Sequence, residues 1–283
     1  HFNDALKKAK SDPNIPVEDL YQIELLFNQA SFNTLRAEGD DFFAKENWME
    51  ALDRYHQALE IGTKLNLSQS TSLSELQENI ARTQIYMTVA KGKEAFAASR
   101  WDEAISQYEK AIILLEENSK LLSQINTDES REKLSRIMLH ASIIRDKQDA
   151  AKFLKSEDYG PALEKLKAVE QTIRSNPAGR LPEFQATLEE IASQIKDAGK
   201  QLLISKQTAY LMDNFQQLFL KHYPAATRSV LSAPKVEYLK DLGPKLLFRM
   251  QCTEQSGGRP LRLQMDYLYS PDSGKWQFYS EEE

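Results

Sequence analysis

The sequence predicts a mainly α-helical protein: an array of helical hairpins followed by a small α+β domain with an antiparallel sheet. Three observations predict it. One pattern of small and large residues occurs three times, no proline interrupts the chain from Val17 to Gly160, and after Ala225 the apolar period falls from about 3.6 residues to about 2.

The recurring pattern is clearest in its first copy, Gly39, Phe43, Trp48, Ala51, Tyr55 and Ala58. Gly92, Phe96, Trp101, Ala104, Tyr108 and Ala111 repeat it with identical spacing, and Ala150, Leu154, Tyr159, Ala162, Leu166 and Val169 give a third version. Small residues fall where two helices of a hairpin touch, and large ones fill the space between neighbouring hairpins. This order of positions resembles the tetratricopeptide repeat family over roughly residues 30–175. Ala51, Ala104 and Ala162 lie 53 and 58 residues apart, against a family period of about 34. The extra length keeps helical character, and the usual closing proline is missing from the first two copies, so the hairpins are expected to have overlong helices.

Taken in order, residues 1–17 read as a short helix and a connector holding Pro13 and Pro16. A helix is predicted from about Val17 to Ala44, with Leu20, Ile23, Phe27, Ala30 and Leu35 as its apolar stripe. Lys45-Glu46-Asn47 is the turn, with Asn47 and Glu50 as a capping box for the helix that runs from Trp48 to about Leu67. The polar cluster Ser68-Gln69-Ser70-Thr71 ends it, and Ser72 with Glu75 caps the next helix, which reaches Ala98. Ser99 is assigned as the cap of the helix from Trp101, with Asp102 at the favourable end of its dipole. Asn126 or Thr127 opens a helix to Lys155, and Ser156-Glu157-Asp158 repeats the short turn. The third hairpin closes near Ser175 at Asn176-Pro177-Ala178-Gly179. A further helix from Glu183, with a bend expected at Gly199, ends before Pro224. Its stripe Ile204, Leu211, Phe215, Leu218 and Phe219 needs a partner larger than one helix.

Beyond it, Leu246, Phe248, Met250 and Cys252 alternate with Leu247, Arg249, Gln251 and Thr253. Leu261, Leu263, Met265, Tyr267 and Tyr269, then Trp276 and Phe278, follow the same rule. One apolar and one largely wet face is the pattern of an antiparallel sheet. With Val236 and Tyr238 as an edge strand, and turns at Asp241–Pro244, Ser256-Gly257-Gly258 and Pro271–Gly274, it makes a four-stranded meander covered by the Phe215/Phe219 helix. A helix followed by a curved sheet is similar in order and length to the cystatin and nuclear-transport-factor-2 groups of α+β folds. The predicted domains are residues 1–180 and 181–283.

Composition narrows the function. A net charge of −6 and a pI near 5.5 supply no basic field for nucleic acid. No apolar run approaches the roughly 20 residues of a membrane span. The chain begins at His1 with no signal-peptide pattern; we expect a soluble chain, the extramembrane part of a bacterial membrane-anchored or exported protein, tethered only by a segment outside it. Cys252 is single, His1, His56, His140 and His222 have no ligand spacing, and Gly257-Gly258 reads as a hairpin tip rather than a phosphate loop. No enzyme, metal or cofactor is expected.

In the repeat family the first helix of each hairpin lines a ligand groove. The resemblance implies groove positions Asn33, Arg36, Asp40 and Phe43 in the first copy, Tyr86, Val89, Lys93 and Phe96 in the second, and Ile144, Lys147, Ala151 and Leu154 in the third. Asp40 stands where carboxylate-gripping members have asparagine, and Val89 where a second cation would help. The mixture of aromatics with Arg36, Lys93 and Lys147 suits an amphipathic helix or an extended peptide instead. The resulting expectation is a non-enzymatic protein–protein interaction scaffold, an α-solenoid. The alternative is a sheet domain that binds a small apolar ligand or peptide, with the array as spacer of a membrane-tethered assembly.

Overall fold

A computed structural model describes residues 2–12, 14–65, 71–222, 231–254 and 261–279. Helices α1 (Phe2–Ser11), α2 (Val17–Ala44), α3 (Trp48–Lys64), α4 (Thr71–Ala97), α5 (Trp101–Glu117), α6 (Thr127–Lys155) and α7 (Tyr159–Ser175) precede a 3-10 turn, Pro177–Arg180. Helices α8 (Pro182–Asp213) and α9 (Phe215–His222) lead into strands β1 (Lys235–Leu242), β2 (Lys245–Glu254), β3 (Leu261–Ser270) and β4 (Lys275–Tyr279). The protein is therefore mainly helical, with a small α+β part built on a β1-β2-β3-β4 antiparallel meander. Two compact units form, one of residues 1–148 and 171–185, the other of residues 149–170 and 186–283.

The tight turns are closed differently from the expectation. Asn47 and Arg100 are the cap residues of α3 and α5, and neither makes a side-chain capping bond. Each turn is instead a backbone motif at the end of the preceding helix. Glu46, Ser99 and Glu157 take positive φ of 58°, 58° and 59°. The Asn47, Arg100 and Asp158 amides then donate to the Phe42, Ala95 and Phe153 carbonyls at 2.9, 2.8 and 2.9 Å. This is the Schellman closure, here without its usual glycine. Ser99 is thus the end of α4 rather than a cap for α5, and Ser72 lies one residue inside α4. Asn126 does cap: its side-chain oxygen accepts from the Glu129 amide at 3.2 Å. The predicted breaks at Ser68–Ser70 and Ser256-Gly257-Gly258 lie outside the described residues.

Within the first hairpin, a Cβ at Gly39 would stand 2.5 Å from Tyr55 Cε1; in the second, one at Gly92 would stand 2.8 Å from Tyr108 Cε1. Absent side chains let both buried rings lie against the first helix. Phe32, Tyr55, Ala58, Leu73 and Leu76 share one core cluster, so the first hairpin is packed onto α4.

Helix α8 runs unbroken through Gly199, and the interruption falls at Asn214. There the side-chain amide donates to the Tyr210 carbonyl at 2.8 Å, in competition with the helix ladder. Leu211, Phe215 and Phe219 cover the sheet face made by Leu246, Phe248, Met250, Cys252, Met265, Tyr267 and Tyr269. Phe278 lies on that face too, opposite Tyr267 in register and stacked 4.2 Å from His222, although it is 41% exposed. The opposite face is also less wet than its alternation implies. Leu247 pairs with Leu268 in register, and both are buried. Beside them Arg249 binds Asp266 through two hydrogen bonds of 2.9 and 2.7 Å.

Candidate partner-binding surface

The first helices of the first two hairpins, α2 and α4, lie side by side, and their side chains record the contact. Arg36 pairs with Glu75 at 2.8 Å, and Asn79 donates to the Asp40 carboxylate at 3.2 Å. The same Asp40 oxygen accepts from the Tyr55 hydroxyl at 2.7 Å. Burial, followed by the carboxylate beside it, holds Tyr55 above the ordinary tyrosine pKa. Arg36 and Asp40, two of the positions predicted to face a ligand, are thus engaged within the protein.

The aromatic positions form a repeated knot. Phe43 meets Trp48 edge-on at 5.2 Å, and Phe96 meets Trp101 at 5.2 Å. In each case the next first helix adds a lid. Tyr86 lies parallel to Trp48 at 5.7 Å and edge-on to Phe43 at 5.6 Å, and the Arg82 guanidinium sits 5.2 Å from the Phe43 ring. His140 takes the corresponding place, 6.1 Å from Phe96. Phe43 and Phe96 are half-buried and pack on hydrophobic cores, so they are junction residues as much as surface ones. Tyr86 is 41% exposed. Its ring is held by two aromatic neighbours while one edge stays open to solvent.

Of the remaining predicted positions, Asn33 and Lys93 are exposed, and so is Ala151. Val89 is half-buried against the second core, and Ile144, Lys147 and Leu154 are half-buried. The structure therefore brings together Phe43 and Tyr86, with Arg36 and Asp40 one to two turns away along α2. Sequence reasoning missed Arg82 and His140. Arg82 stands one helical turn before Tyr86, and His140 occupies its repeat position 58 residues later, a correspondence visible once the repeat is laid out.

Two further clasps fix the second junction. Glu78, buried in α4, accepts from the Ser123 hydroxyl at 2.8 Å and the Gln124 amide at 3.1 Å. Trp101 Nε1 donates to Gln148 at 2.9 Å, and Arg145 binds Asp102 at 2.7 Å. Hydrogen bonds to Asp146, then Asp102, raise the Arg145 pKa further. Among the described residues no group of three or more His, Cys, Asp or Glu side chains could hold a metal ion, and no helix is long and apolar enough to cross a membrane. Comparison with family models, curated proteins and solved structures finds no match to this chain.

Proposed function

We propose that the chain is a non-enzymatic interaction scaffold, built on tetratricopeptide-like hairpins, that binds an amphipathic helix or extended peptide of another protein. The observation that carries this reading is Tyr86: an aromatic ring pinned between Trp48 and Phe43 and still 41% exposed. Aromatic anchors with little conformational freedom to lose are the side chains on which interface energy concentrates. Lys93, exposed two turns further along the same helix, supplies the polar rim. The alternative, an apolar ligand within the sheet, has less in its favour, because Leu211, Phe215 and Phe219 already fill the inner face.

Site-specific photocrosslinking tests the proposal. A photoreactive residue at Tyr86 or Lys93 should yield one common protein adduct in an extract of the source cells. The same residue at Tyr210 or Phe278, exposed on the other unit, should not. Adducts from the second set alone would transfer the binding role to the sheet domain.

A further inference from the structure

The strongest unassigned feature is the outer face of α2. Residues of α4 lie 53 positions after their counterparts in α2, as Gly92 does after Gly39. In α4, Glu75, Asn79, Arg82 and Tyr86 all contact the preceding hairpin, and Leu76 and Thr83 between them are fully buried. The α2 counterparts are Gln22, Leu26, Gln29, Asn33, Ile23 and Ala30, and every one is exposed, Leu26 to 64%. Of the stripe that the sequence assigns to packing, Ile23 and Ala30 are open to solvent, while Leu20, Phe27 and Leu35 are half-buried. A face that α4 buries beneath a helical layer is bare in α2.

We propose that this face of α2 is the contact surface of a two-fold dimer of the chain. Its occupant must be helical, because the equivalent face of α4 is covered by helices. It must also be uncharged at its centre. The groups that hook α4 to its predecessor, Glu75 and Arg82, are replaced in α2 by Gln22 and Gln29, so an arginine like Arg36 finds no carboxylate at the Glu75 position; the exposed Glu18 and Asp19 lie one turn earlier, towards the helix start. A neutral stripe with Ile23 and Leu26 at its middle can instead lie against itself without apposing like charges. Head-to-tail stacking of copies is not open to the chain. The third-hairpin counterparts of Tyr55 and Ala58, which meet α4 in the first hairpin, are Leu166 and Val169, and both are already buried. A surface that pairs with itself and closes is a two-fold interface. This inference does not depend on the partner-binding reading above, which uses Tyr86 and Lys93.

Sedimentation equilibrium of the full chain tests it, together with Leu26→Glu, Ala30→Glu and Leu26→Cys. The wild type should approach twice the 32.4 kDa chain mass with rising concentration, and, the face being uncharged, with little dependence on salt. Leu26→Glu meets itself across the axis and should weaken the dimer by about 100-fold or more, since it would desolvate a charge twice. Its circular dichroism should be unchanged, because the side chain is solvent-exposed in one copy. Leu26→Cys should oxidise to a disulfide-linked pair, while Met49→Cys, on an exposed site elsewhere, should not; the native Cys252 is buried. A mass that stays at 32.4 kDa at every concentration overturns the proposal. So does a dimer that both glutamate variants leave intact, or a monomer that uses this face for a different protein.

Discussion

Gly39 lies directly beneath the Tyr55 ring, and a methyl group there would come within 2.5 Å of Cε1. Gly92 and Tyr108 repeat the relationship. Alanine in mid-helix normally stabilises by about 1 kcal/mol over glycine. Here the buried ring must shift, at an overpacking cost of about 1–3 kcal/mol. Gly39→Ala and Gly92→Ala should therefore lower stability in denaturant melts. Gly199→Ala, in α8 with nothing within 4 Å of the added carbon, should raise it by about 1 kcal/mol. The opposite signs are the test; stabilisation by all three would show that the hairpins do not pack as described.

Glu46, Ser99 and Glu157 hold left-handed backbone that costs a residue with a Cβ about 1–2 kcal/mol. Each single change to glycine should stabilise by roughly 0.5–1 kcal/mol after glycine's greater unfolded-state entropy is counted. Calorimetric midpoints of Glu46→Gly and Ser99→Gly should rise. A fall in both would mean that these side chains hold the turns in some other way.

Burial and Asp40 raise the Tyr55 pKa in the folded chain, and burial raises that of Tyr108. A raised pKa gives stability that is complete below the unfolded value of about 10 and is lost as pH climbs past it. The protein should therefore lose stability above about pH 10, where the unfolded chain releases the tyrosine protons first. Tyr55→Phe removes one hydrogen bond, costing about 1 kcal/mol at neutral pH, and flattens the alkaline limb. An alkaline limb that Tyr55→Phe leaves equally steep contradicts this assignment.

Burial, and secondarily Glu254, pushes the Cys252 thiol up, so the chain's single thiol should be inert to alkylation at neutral pH until the sheet opens. Phe219 is fully buried against the same face, and Phe219→Ala should cost about 3–5 kcal/mol. Labelling of Cys252 in that variant should accelerate accordingly. Rapid labelling of the wild type would show that α9 does not seal the sheet.

Helix limits were legible because turns recur at one offset from Ala51, Ala104 and Ala162, and the expected Val17 and Ala44 limits are those of α2. Capping was misread for a physical reason. Asn47 and Ser99 are good cap residues by type, but the backbone motif at Glu46 and Ser99 had already satisfied the helix end, and positive φ in Glu and Ser leaves no mark in the sequence. Period 2 revealed the sheet and its inner face. It could not reveal that Leu247 meets Leu268 on the other face, because register between strands is a long-range property. The groove positions were predicted as a set, yet which of them are engaged within the protein depends on pairings such as Arg36 with Glu75, 39 residues apart.

The central claim is that a partner grips the first-helix surface through Tyr86, and calorimetric titration of the crosslinked partner, once identified, tests it most directly. Tyr86→Ala should weaken binding by at least about 2 kcal/mol, as a hot-spot aromatic does. Lys93→Ala should weaken it by under about 1 kcal/mol, and less still in high salt. Both variants should keep the wild-type melting temperature within the spread of surface substitutions. Unchanged affinity in Tyr86→Ala, with the fold intact, would contradict the account.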